Sequence, residues 1–155
     1  MKKEFDYYVY IDYSENLIGY NIIEKEQVKA ILSKISKFHH YKSIKHKKEY
    51  ISAIKKRFER ENIKNLFLKY KIREFRFNLD IFVDVIDFLK KNRSTRMFIS
   101  IDDTLLRSFM KFFEVANCKD NFVITKESKL KEGSIEYKLS LIIDNMLNVE
   151  RRKSK

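Results

Sequence analysis

The chain has 155 residues and a formal net charge of +12, from 34 Lys and Arg against 22 Asp and Glu. Hydrophobic residues make up 44% and aromatics 14%, which excludes a disordered chain and suffices for the core of one domain spanning residues 1–155. A single Cys and only two Gly exclude an internal disulfide, a Cys-rich zinc site and a Gly-rich loop for nucleotide phosphates.

Residues 5–12 alternate as a strand ending in Asp12. A turn at Ser14-Glu15-Asn16 and a second β-prone run over 17–23 complete an antiparallel hairpin. Val28, Ile31, Leu32 and Ile35 have helical spacing, predicting an amphipathic helix over 24–38. A second helix is predicted over 47–61, with Tyr50, Ile51, Ile54 and Phe58 on one face. Residues 66–77 alternate in a strand-like way, and Asn78 is placed to cap a helix carrying Phe82, Val83, Ile86 and Leu89. Then come a strand over 96–101, a helix over 104–115, a short strand over 121–125, a loop around Gly133 and a last helix over 134–151. Strands alternating with helices imply parallel pairing, so the expected class is α/β: a mixed sheet opening with an antiparallel hairpin, helices packed upon it. No stretch reaches the roughly 18 apolar residues that span a bilayer. The charged start, Met1-Lys2-Lys3-Glu4, carries no signal-peptide core. A cytoplasmic protein without a membrane partner is expected.

The charge is concentrated. Residues 34–73 hold fourteen Lys and Arg against Glu49, Glu59 and Glu61, nearly the whole surplus. A basic helical segment of this kind suits a phosphate backbone, DNA or RNA, because neutralising phosphates releases condensed counterions. Lys42, Lys45, Lys47, Lys48, Lys55, Lys56 and Arg57 are the candidate contacts. The competing reading is a solvated, lysine-rich surface.

Asp12 shares a strand face with Tyr8 and Tyr10, and Asp102 shares one with Phe98 and Ser100. Asp103 lies on the other face, with Met97, Ile99 and Ile101. If the two strands are neighbours, Asp12 and Asp102 converge at one edge. Close carboxylates repel unless a cation such as Mg²⁺ or Mn²⁺ sits between them, the arrangement that hydrolyses phosphodiesters. The ordinary alternatives are a turn-starting Asp12 and an Asp102 or Asp103 that caps the following helix. Helical projection sets Asp144 opposite an apolar centre of Ile135, Leu139, Ile142, Met146 and Val149, which predicts a solvated face. Glu49 and Glu61 have no decisive claim as a further acid. His39, His40 and His46 lack a zinc-site arrangement and join the basic patch, and Cys118 lacks a partner His.

Tyr10-Ile11-Asp12-Tyr13-Ser14-Glu15, Phe98-Ile99-Ser100-Ile101-Asp102, and Glu127-Ser128-Lys129 followed by Leu139-Ser140-Leu141-Ile142-Ile143-Asp144 resemble, in order, the motifs of an uncharacterised prokaryotic family, domain of unknown function 3800, within the ribonuclease H-like superfamily. That family opens on Y-I-D-E-S-G, has a middle strand ending in Asp, and closes on an acidic S-K pair and a helix with L-Q-L-A-D. Tyr13 stands here for its Glu, Ser140 for its Gln and Ile143 for its Ala. The resemblance implies a ribonuclease H-like fold and a metal-dependent nuclease with Asp12, Asp102 and Asp144 as catalytic residues and ligands for Mg²⁺ or Mn²⁺. A nucleic-acid-binding module without catalysis and a structural, partner-binding protein are the alternatives.

Overall fold

In the computed structural model, which describes residues 5–92, 95–101, 103–116 and 122–153, a five-stranded mixed sheet carries helices on both faces. The strands are β1 (Tyr7–Ser14), β2 (Leu17–Glu24), β3 (Lys69–Glu74), β4 (Thr95–Ser100) and β5 (Phe122–Lys126), in the spatial order β3-β2-β1-β4-β5. β1, β2 and β3 pair antiparallel, whereas β4 pairs parallel to β1 and β5 parallel to β4. The expected α/β class, opening hairpin and parallel second half are therefore present, in an arrangement consistent with a ribonuclease H-like fold.

The helices are α1 (Val28–Leu32), α2 (Lys47–Arg60), α3 (Asn78–Lys91), α4 (Asp103–Ala116) and α5 (Ile135–Lys153). Side-chain alternation splits the core between the two faces of the sheet. Tyr10, Ile23 and Phe98 pack with α5, α2 and α1 on one side. Val9, Ile11, Tyr20, Met97 and Ile99 pack with α3 and α4 on the other. Central β1, covered on both faces, buries four successive residues, Val9 to Asp12. Tyr10 stacks on Phe98 at 4.8 Å between ring centroids, while Phe82 and Phe109 meet at 4.4 Å across the α3–α4 interface. Gly19 in β2 is required by close packing: a Cβ there would lie 3.0 Å from Ile72 Cγ1 and 3.1 Å from Leu147 Cδ2.

Three expectations are corrected. The helix over 24–38 shrinks to a 3-10 turn, Lys25–Gln27, followed by α1. Ser33 donates its hydroxyl to the Ala30 carbonyl, a local bond that competes with further helix, and the chain beyond wraps Ile35 and Phe38 onto the core. Asn78 does not cap α3: the 3-10 turn Phe75–Phe77 runs straight into the helix, so Phe77 holds the cap position and Asn78 is already helical. Val83, expected on the buried face of that helix, is exposed. Among the described residues no helix is long and apolar enough to cross a membrane.

Candidate active site

Because β1, β4 and β5 are parallel, their carboxyl ends lie at one edge of the sheet, where open α/β sheets form ligand-binding crevices. A cleft of about 610 Å³ opens there. Asp12 of β1 lies directly across from Ser100 of β4 on the face covered by α5. α5 lies along β1: Tyr10 donates its hydroxyl to the Glu136 carbonyl near one end, and Ser14 donates to Asn148 Oδ1 near the other. That alignment brings Asp144 to the cleft beside Asp12. Directly after β5, a 3-10 turn (Glu127–Lys129) adds the Glu127 carboxyl to the same group.

The solvated face expected for Asp144 is overturned. Asp144 is 8% exposed, because the sheet covers one side of α5 while α2 and the turn Tyr41–Ser43 cover the other. Ile135, assigned to the apolar centre of that helix, is half exposed before this cover begins. The Tyr41 backbone N–H donates to Asp144 Oδ2 at 2.9 Å.

The electrostatics of the group are strained. Burial holds the Asp12 carboxyl well above its ordinary pKa, and Glu127 and then Asp144 push it further, against a 2.8 Å hydrogen bond from the Tyr13 N–H. Glu127 and Asp144 are also raised, in both cases chiefly by burial. His40 and Lys42 oppose the rise at both, and Arg151 opposes it at Asp144. The Ser100 side chain lowers the pKa of both Asp12 and Glu127 against burial. A hydroxyl carries one proton, so it can donate to only one of two carboxylates at a time. Crowded carboxyls, an all-oxygen donor set, suit a hard divalent cation. Asp12 and Asp144 are the carboxyls that would take part. Among the described residues, no group of three or more His, Cys, Asp or Glu side chains is placed to hold a metal ion. Asp102, the remaining expected ligand, lies outside the described residues, as does Cys118.

The basic rim is narrower than the charge count suggested. Lys42 and Lys47 line the cleft, together with Lys126 and Arg151. Lys47 and Arg151 also lie over the Tyr41 ring, at 5.5 and 5.3 Å from its centroid. Lys45, Lys48 and Lys56 are exposed but do not line it, Lys55 borders a separate concavity, and Arg57 pairs with Glu61 at 3.8 Å. Glu61 is further engaged by Lys34, and Glu49 is exposed away from the cleft. Asp103 opens α4 at the cleft's edge, where Lys126 pairs with it at 2.8 Å and holds its pKa low. Arg151, Lys126 and Ser100 carried no sequence signal of their own. Glu127 did, through the acidic S-K pair of the resemblance. The chain matches no protein-family model and no curated protein, so the family resemblance rests on the motifs themselves.

Proposed function

We propose that the protein is a metal-dependent nuclease that hydrolyses nucleic-acid phosphodiester bonds in the cytoplasm, with Asp12 and Asp144 as ligands for Mg²⁺ or Mn²⁺ and Glu127 beside them. One observation carries the reading: the buried carboxyls of Asp12 and Asp144 meet at a cleft with a cationic rim, and the Glu127 carboxyl is close enough to raise Asp12 further. A bound divalent ion supplies a water of lowered pKa and counter-charge for the leaving oxygen. Lys42, Lys47 and Arg151 draw the phosphate backbone into the cleft and orient it. Asp144 is kept in place by the Tyr41 N–H and Asp12 by the Tyr13 N–H, so both carboxylates are set before substrate arrives. Asp102, outside the described residues, remains a proposed further ligand.

The test is cleavage of labelled single- and double-stranded DNA and RNA with Mn²⁺ or Mg²⁺. The expected result is cleavage that chelator abolishes and that Asp12→Asn and Asp144→Asn each reduce more than about 100-fold, beyond the usual cost of losing a residue that only orients a metal ligand. Cleavage of similar rate in both variants refutes the assignment. The second reading is nucleic-acid binding without catalysis; among the described residues no group of three or more His, Cys, Asp or Glu side chains is placed to hold a metal ion. It predicts salt-sensitive binding that chelator leaves unchanged, and no cleavage on any substrate.

A further inference from the structure

α5 has a second concavity against its opposite side. Asp144, Asn148 and Arg151 face the cleft, whereas Met146 and Val149, about half a helical turn away, face a pocket of about 250 Å³ between α2, β3 and the 3-10 turn Ile63–Leu66. Its floor is apolar, built from the buried side chains of Phe58, Met146 and Val149. One wall is Tyr70, a tyrosine on edge strand β3 that is 42% exposed. The rim is polar. Lys64 places its ammonium 5.6 Å from the Tyr70 ring centroid, and Lys55 has no ion-pair partner among the described residues. Asn62 and Asn65 line the same rim, and neither side-chain amide is hydrogen-bonded among the described residues. Asn62 holds its position with a left-handed backbone, φ 51°, that turns the chain out of α2.

We propose that this pocket is a nucleotide subsite, taking one base against Tyr70 and its phosphate on Lys55 and Lys64. The inference rests on the nucleic-acid reading of the cleft, since it supplies a second grip on the same strand. An apolar floor with a few convergent polar groups is the composition of small-molecule pockets, and this volume admits one ring system rather than a larger ligand. The exposed ring gives a stacking surface that every base satisfies. Two lysines against one carboxylate, Glu59, leave the rim net positive, which suits a phosphate. The two unbonded amides can each donate to and accept from a base edge. Lys55, which the cleft does not explain, thereby acquires a role.

The test is calorimetric titration of the full chain with adenosine 5′-monophosphate in excess chelator, where no hydrolysis occurs. The expected result is saturable binding, weakened about tenfold or more by Tyr70→Ala and by the double substitution Lys55→Ala with Lys64→Ala, and restored by Tyr70→Phe. Lys56→Ala, outside both concavities, leaves it unchanged, and the titration needs neither metal nor cleavage, so failure of the nuclease assignment and failure of this subsite are separable. No binding, equal binding in the Tyr70→Ala chain, or inorganic phosphate binding as tightly as the nucleotide overturns the subsite.

Discussion

Asp12→Asn is expected to make the metal-free protein more stable, not less. The Asp12 carboxyl is 6% exposed and faces two other carboxyls, Glu127 and Asp144. Asn keeps the shape and the Oδ1 acceptor for the Tyr13 N–H, while its new N–H₂ can donate to the neighbouring carboxylates. The substitution therefore removes a buried like charge and leaves the hydrogen bond intact. Once Asp12 is ionised, a gain of about 1–2 kcal/mol follows, within what single stabilising substitutions commonly give. For a chain of this size that raises Tm by roughly 2–8 °C. The pH dependence has a definite sign. The folded-state pKa of Asp12 lies above its unfolded value, so between the two the native state binds more protons and wild-type stability falls as pH rises. The advantage of the variant should be small near pH 4 and grow until the folded pKa is passed. Thermal melts of both proteins from pH 4 to 8 in chelator measure it directly. A variant less stable than wild type at pH 8 would refute the reasoning, because it would mean the charged carboxylate is welcomed by its surroundings.

The rim predicts unequal salt effects. Lys42→Ala and Lys47→Ala should each lower the slope of log K against log salt for nucleic-acid binding by about 1, whereas Lys56→Ala, outside the cleft, leaves it near the wild-type value. Gly19→Val drives methyl groups into Ile72, the Lys71 carbonyl and Leu147, at a cost of about 1–3 kcal/mol in urea unfolding. Tyr20→Phe removes the 2.8 Å bond its hydroxyl donates to Asp84, a charged acceptor, and should cost about 1.5–3 kcal/mol by the same measurement.

The sheet was legible because its strands announce themselves: the 5–12 and 17–23 runs differ from β1 and β2 by only a residue or two at most ends. Asp12 was expected to end the first strand, whereas β1 runs two residues past it, to Ser14. Asp144 was not legible from helical periodicity. The projection assumed one wet face, but α5 is clamped between the sheet and the α2 side of the core, and the unbroken run Leu141-Ile142-Ile143 is what a helix buried all round shows. The resemblance named Asp144 as a candidate, and the structure buries it at the cleft. The basic segment misled in a different way. Counting charge over 34–73 treats every lysine alike, yet the helix turns Lys47 to the cleft and Lys55 to the far pocket, and Arg57 is paired with Glu61. The long helix expected over 24–38 failed because apolar spacing cannot report Ser33 bonding its own backbone.

The central claim is that Asp12 and Asp144 hold a divalent ion. Mn²⁺ titration followed by electron paramagnetic resonance, at pH 7 on the whole chain, tests it without any assumption about substrate. The account predicts saturable loss of the free-ion signal in wild type and little or none in Asp12→Asn or Asp144→Asn. Equal Mn²⁺ uptake by wild type and both variants would contradict it.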